Sequence, residues 1–346
     1  MICADEDFEA LQERKKLFQS NFLSFNSMRS YTTGVNEFVT FTALFRNHLN
    51  VYPYFPISDD TLATFVVWES QFIAPASIKS YLAGVRAWQM WNGHAFPAMK
   101  ERLPVFQAFQ GLKRYFGAPS VSKLEVTPSM LLHIYGLLDF NDPNQHAIWA
   151  AMLLAYYATL RKDNISVGKA SSFNPRENLT LSDLELNPTE MTGLLHIKHA
   201  KQNQFFDRSH SIPIHGYGGK LCVITALLSM LKATSAANRT GDSALFQIRG
   251  AKGKWAPMTH SHFTTTFKKL ATAAGYDASK FAGHSFRRGS ATRLFRLGVS
   301  PELIKWQGDW SSDAWERYIE VDPQAKASVP LALIHDAQQA EISFTD

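Results

Sequence analysis

HSFRRGSATRLFRLGVSPELIKWQGDW, residues 284–310, runs directly into SSDAWERYI, residues 311–319, and the fold is most legible there. The first part reads as a helix over 284–297. Ser300 then stands as an N-cap with Pro301 at the first position of a short helix over 301–307, and Gly308 is expected to end that helix in a left-handed conformation. Trp310 falls in a turn. Ser312 is placed to cap a further helix over 312–320 that carries Trp315, Tyr318 and Ile319. His284 and Arg287 stand three apart on one helix face, where an imidazole and a guanidinium converge on one anionic group. Tyr318 is the only tyrosine beyond that pair, and a phenol beside bound phosphate is a candidate covalent nucleophile.

Upstream lies the only sheet signal in the chain. Leu179 to Leu186, a turn at Pro188, Gly193 to Lys201 and Ser209 to Ile214 read as three strands of a small antiparallel sheet. Before it, Ala147 to Leu160 is nearly continuous apolar helix that ends in Arg161-Lys162-Asp163-Asn164, and charge at the end of a buried helix needs a partner. Thr127-Pro128 opens a helix, with helices also expected near 218–233 and 260–274.

The first part of the chain shows no period of two. It reads as an all-helical bundle with helices near 5–23, 28–48, 59–73, 76–92 and 101–115, Ser27 and Ser58 as caps, and Pro53, Pro56 and Pro75 as interruptions. Tyr31, Phe38, Phe41, Phe45, Trp68, Trp88 and Trp91 recur at helical spacing, which points to core packing rather than base stacking. The expected fold is therefore mainly α. A helical domain over 1–116 and a Gly/Pro/Ser-rich linker over 117–126 precede a mostly helical α+β catalytic domain over 127–346 with its small sheet.

At 346 residues and 45% apolar content, the chain has material for two cores. No run of 18 apolar residues occurs, and Asp5, Glu6 and Asp7 stand where a secretory signal would carry bases, so a membrane or export role is not expected. Cys3 and Cys222 are too few for a disulfide framework or a cysteine-rich zinc site. The net charge of +5 is uneven: between Asp242 and Asp277 no acid intervenes, while Arg249, Lys252, Lys254, Lys268 and Lys269 are present, which suits either a polyanion or a solvated lysine-rich surface.

Phosphodiester attack needs cations for the non-bridging oxygens, a nucleophile, a base and an acid for the departing oxygen. Arg161 and Arg287 offer planar forks, Trp310 an indole N–H, His284 a base and Lys201 an acid, so neither cofactor nor metal is required. Lys198 competes with Lys201, but three positions apart in a strand they face opposite sides. His196, His199, His260 and His262 read as DNA-facing or structural rather than metal ligands. Arg288, Arg293 and Arg296 are either phosphate contacts or surface charges.

Arg161, Lys201, His284-x-x-Arg287, Trp310 and Tyr318 occur in the order used by tyrosine recombinases, and the chain resembles that phage-integrase-like family from about residue 125 to 325. The stretches LLHIKHAKQNQF (194–205), 284–310 and 311–319 are similar in particular to recombinases of eukaryotic Crypton and DIRS-like elements. The resemblance implies site-specific DNA recombination, integration or transposition. Tyr318 would form a 3′-phosphotyrosine, Lys201 would act as general acid, Arg161, Arg287 and Trp310 would bind the phosphate, and His284 would move the proton. It further implies double-stranded DNA as partner, with Arg288, Lys252, Lys254, His260, Lys198 and Lys268 as candidate DNA contacts. A dimer per site, a tetrameric synapse, a tail over 329–340 docking in trans and, in a eukaryotic host, a nuclear location follow from it as well. Trp310 stands where many relatives carry histidine, Asn164 where an acid is common, and the interval to Tyr318 is about one residue short. Type IB topoisomerase-like activity and a DNA-binding protein that no longer cuts are the alternatives.

Overall fold

The computed structural model describes residues 13–15, 18, 22–49, 55–117, 123–198, 210–321, 326, 330, 331, 334 and 338. The chain divides into two compact units, Met1–Ser120 and Val121–Asp346. Most of the helix expected over 5–23, residues 118–122 of the expected linker, and most of the 329–340 tail lie outside the described residues.

In the first unit the described elements are helices α1 (Phe25–Leu44), α2 (Asp59–Glu69), α3 (Pro75–Trp91) and α4 (Leu103–Tyr115). Helices α1 and α3 approach closely because each brings a glycine to the crossing. A Cβ on Gly34 would lie 2.5 Å from the Tyr81 backbone, and one on Gly84 would lie 2.6 Å from that of Tyr31. Phe38, Phe41, Leu62, Phe65, Ile78 and Val85 fill the core, with the Phe38 and Phe65 rings edge to face at 5.2 Å. Trp68 and Trp88 pack against this cluster, but Phe45 and Trp91 of the same aromatic series are 37% and 54% exposed. The cap of α1 is Ser24, whose hydroxyl accepts from Ser27 N–H, so Ser27 sits within the helix rather than before it. Ser58 caps α2 as expected. Arg102, 6% exposed, binds the Asp59 carboxylate and the Ile57 carbonyl and lies over the Phe96 ring at 4.3 Å.

The second unit begins with α5 (Pro128–Tyr135), α6 (Pro143–Tyr157) and the short α7 (Lys162–Ile165). Every residue of α6 from Ala147 to Tyr156 is buried, as its apolar run predicts. Strands β1 (Leu184–Asn187), β2 (Thr192–Ile197) and β3 (His210–His215) form an antiparallel meander in that order. Leu195, opposite Leu184 and Ile212, faces the core with Ile197 and Ile214, while His196 on the other face bonds Ser211 and Glu185.

Helix α8 (Val223–Ala233) follows, then a two-stranded ribbon of β4 (Gln247–Arg249) and β5 (Trp255–Pro257) that sequence periodicity did not reveal. Three residues per strand are too few for a period of two to register, and the ribbon is held from outside its own sequence. The Asn144 side chain accepts from Arg249 N–H at 2.7 Å and donates to its carbonyl at 2.9 Å.

The unit closes with α9 (His260–Ala273), α10 (Ser285–Arg296), α11 (Pro301–Gln307) and a 3₁₀ helix over Asp313–Tyr318. The segment before α5 is pressed onto α10: Val126 N–H donates to Ser285 O at 3.0 Å, and a Cβ on Gly289 would lie 1.9 Å from Val126 O. Ser300 and Pro301 start α11 as predicted. Gly308 does not take the left-handed conformation expected of it. It has φ −92°, and the left-handed residue is Asp309 at φ 53°. Glycine is needed at 308 for space, since a Cβ there would lie 1.8 Å from the Trp310 ring. The last element is a 3₁₀ rather than an α-helix, with Tyr318 as its final residue. In a 3₁₀ helix residues three apart eclipse, so Trp315 and Tyr318 face the same way, into a small cluster of Ala291, Ile304 and Trp310.

Candidate active site

Among the described candidates, Arg161 and His284 cap helices, Arg287 lies in a first turn, Trp310 follows the end of α11 and Tyr318 ends the 3₁₀ helix. At the end of α6, Thr159 adopts φ 53° and Leu160 N–H returns to Ala155 O at 2.9 Å, so the buried helix stops abruptly and Arg161 opens α7. Asn164 Oδ1 accepts from Arg161 N–H at 3.1 Å, which fixes the turn. His284 is the N-cap residue of α10, and Arg287 lies in its first turn.

Among the described residues, Arg287 is the largest side chain that is fully buried, at 2% exposure. Its Nη1 donates to Thr159 O at 2.6 Å and its Nη2 to Gly308 O, so the guanidinium ties the end of α6 to the turn after α11. Trp310 covers its face, with the guanidinium carbon 3.6 Å from the ring centroid, and the Tyr318 ring lies beside both, 5.6 Å from that carbon. The Trp310 and Tyr318 rings are 5.4 Å apart, and the His284 ring is 6.3 Å from that of Tyr318. Tyr318 is half-buried.

The electrostatics join Arg161 to this group. Burial lowers the Arg161 pKa, and Tyr318, Asp309 and Asp163 oppose that shift. Burial and then the Arg161 charge bring Arg287 down to about 9, against the pull of Tyr318 and Asp309. His284 is lowered by burial first, then by Arg161, with Arg287 and Lys162 adding and Asp163 opposing, so the imidazole is neutral at neutral pH. The Arg161 charge depresses Arg287, and an anion placed at this group offsets that repulsion.

Sequence reasoning passed over one neighbour of this group. Asp163 pairs with Lys162 and, at 3.2 Å, with His260 Nε2, while His260 Nδ1 meets Ser166 Oγ at 2.8 Å. Burial would raise its pKa, but the Lys162 hydrogen bond and the charges of Lys162, His260 and His284 hold it down. The signal was present in Arg161-Lys162-Asp163-Asn164. Asn164 occupies the position three past the arginine and spends its side chain on the backbone, leaving Asp163 to serve the histidines.

The structure thus brings Arg161, His284, Arg287, Trp310 and Tyr318 together. Lys201, expected as the acid, and His199 lie outside the described residues. Lys198 is committed elsewhere, since its Nζ pairs with buried Asp183 at 2.9 Å and donates to Pro175 O and Thr180 Oγ1. Of the candidate DNA contacts, Lys252 and Lys254 are exposed on the β4–β5 turn, Lys268 is half-buried on α9, and His260 is engaged with Asp163 and Ser166. Arg288 directs its guanidinium to the carbonyls of Arg317 at 3.0 Å and Tyr318 at 3.4 Å. Among the described residues no group of three His, Cys, Asp or Glu side chains is arranged to hold a metal ion, and no helix is long and apolar enough to cross a membrane.

The phage integrase family matches residues 137–324, more than half of the chain, and the chain belongs to that family. It is a DNA breaking-and-rejoining enzyme, a tyrosine recombinase. No curated protein matches it. Among solved structures, XerH site-specific recombinase bound to a palindromic difH substrate in a post-cleavage complex is similar with TM-score 0.60 at 13% identity, covering 87% of this chain and 78% of that one. The Tn1549 transposon integrase in complex with transposon right end DNA gives TM-score 0.59 at 14% identity, over 93% of this chain and 98% of that one. A lambda integrase tetramer bound to a Holliday junction gives 0.52 at 16%, over 90% and 76%. At these identities the likeness is one of fold.

Proposed function

We propose that this chain is the site-specific recombinase of a mobile element, cutting and rejoining double-stranded DNA through a covalent 3′-phosphotyrosine at Tyr318 and without a metal. The Tyr318 hydroxyl attacks phosphorus while neutral His284 takes its proton. The bond from phosphorus to the 5′ oxygen breaks, and Lys201 protonates that departing oxygen to give the 5′-hydroxyl. Arg161 and Arg287 neutralise the non-bridging oxygens, where charge is concentrated in the transition state. Trp310 holds the Arg287 plane, its ring being packed on that guanidinium, and its indole N–H is the donor to a non-bridging oxygen. Rejoining is the same step reversed, with the bond energy retained in the ester.

The observation that carries this reading is the buried Arg287 guanidinium stacked on Trp310 beside the Tyr318 ring, with the Arg161 charge near enough to depress it. DNA as partner, a dimer on each site and a tetrameric synapse are supported by the folds this chain shares with recombinases solved on DNA, one of them a tetramer on a Holliday junction. An origin in a Crypton or DIRS-like element, and with it a nuclear location, rests on the stretches 194–205 and 284–319.

The test is incubation with a nicked suicide duplex and with a second, intact duplex. A denaturation-resistant adduct and strand transfer between duplexes are expected. Adducts without transfer would indicate topoisomerase-like chemistry, and DNA binding without adducts would overturn the enzymatic reading.

A further inference from the structure

Helix α10 does more than carry His284 and Arg287. Arg288, Thr292 and Arg296 stand four apart on one of its faces, and all three reach the backbone of the segment that holds Tyr318. Thr292, 0% exposed, donates its hydroxyl to Tyr318 O at 2.9 Å and accepts from Glu320 N–H at 3.1 Å. Arg288 takes the carbonyls of Arg317 and Tyr318, and Arg296 takes that of Glu320 at 3.2 Å.

These bonds fall where the 3₁₀ helix gives out. It ends at Tyr318, and Ile319 is extended at φ −76° and ψ 127°, so the last carbonyls have no further turn of helix to bond. A single buried hydroxyl closes over both sides of the Tyr318–Glu320 segment and stands in for that turn.

We infer that Thr292 is the positioning residue for the nucleophile. It registers the Tyr318 backbone against the same helix that supplies His284 and Arg287, so that phenol, base and cation move as one body. The inference rests on Tyr318 being the nucleophile, as proposed above. Thr292 touches neither phosphate nor phenol; it acts through the main chain. A shift of about 1 Å in a reacting group costs on the order of 100-fold in rate, which sets the scale for losing the clamp.

The experiment compares wild type, Thr292→Val and Thr292→Ser in single-turnover adduct formation on a suicide duplex, with DNA affinity and melting temperature measured alongside. Valine keeps the shape and removes the hydroxyl; serine keeps the hydroxyl. The valine variant should form adduct about 10- to 100-fold more slowly at unchanged DNA affinity, and the serine variant should recover to within about threefold. Each substitution is also placed in a Tyr318→Phe background and supplied with hydrogen peroxide. Peroxide attacks the phosphorus in place of the phenol and releases the same 5′-hydroxyl. There Thr292→Val should cleave at the rate of its parent, because the arginine pocket is intact.

Equal loss in the phenol and peroxide reactions would show a merely structural role and overturn the inference. So would wild-type adduct rates in the valine variant. Should valine prevent folding, Arg288→Gln removes the outer bonds of the same clamp from a more exposed position, and a selective loss of the phenol reaction is again expected. Equal phenol and peroxide rates in that variant would count against the clamp. Absence of adduct from wild type itself would instead refute the nucleophile assignment.

Discussion

Replacing Gly308 with alanine adds one methyl group and tests how the site is held. The backbone at 308, φ −92° and ψ 2°, is open to alanine, so any effect is steric. The added Cβ would lie 1.8 Å from Trp310 Cζ3 and 2.2 Å from Cε3. Even the short end of ordinary contact, 3.4 Å, requires the ring to withdraw by about 1.6 Å. That ring is 6% exposed and packed on Arg287 and Tyr318, so it has no solvent-side escape that preserves both contacts. Overpacking of this kind costs about 1–3 kcal/mol of stability. Displacement of the Arg287 plane on this scale lowers cleavage by on the order of 100-fold. The Gly308 carbonyl also receives Arg287 Nη2, so the guanidinium is disturbed from two sides. The assay is single-turnover adduct formation with melting temperature and DNA affinity in parallel. A variant that melts normally and cleaves within about threefold of wild type would refute the packing described here.

Cleavage efficiency should fall at acid pH with a midpoint below 6.5, because His284 is held neutral by burial and by Arg161; Arg161→Gln should move that midpoint upward in kcat/KM against pH. A wild-type midpoint above 6.5 would contradict this. Glu69, 2% exposed with Oε1 unbonded, is raised from 4.5 to about 7 by burial and then by Glu37, so the folded state takes up a proton and stability declines as pH rises through that window. Glu69→Gln should therefore melt higher than wild type at pH 8 and lose that advantage near pH 4.5. Lys252→Ala and Lys254→Ala, on the exposed β4–β5 turn, should each reduce the slope of log affinity against log salt by about 1 without changing the adduct rate at saturation.

The site was legible where its residues obey local rules. Ser300-Pro301 announced α11, the apolar run from Ala147 announced α6, and His284 with Arg287 stood three apart, His284 as the cap of α10 and Arg287 in its first turn. What the sequence hid depends on contacts made across it. The need for glycine at 308 comes from a ring two residues away that folds back, not from backbone conformation. The end of the 3₁₀ helix at Tyr318 is bonded by Arg288 and Thr292, about 26 to 29 positions upstream, and no local propensity encodes those bonds. Arg288, readable from sequence as a phosphate contact or a surface charge, bonds the carbonyls of Arg317 and Tyr318. In the first unit, helical spacing identified Phe38 and Phe41 as core but could not tell that Trp91, on the same pattern, lies at the end of its helix and remains exposed.

The most direct measurement is to digest the protein after reaction with a suicide duplex and locate the attached nucleotide by mass spectrometry. The account predicts a 3′-linked nucleotide on the peptide containing Tyr318 and no adduct in Tyr318→Phe. Attachment at any other residue, or an undiminished adduct in that variant, would contradict it.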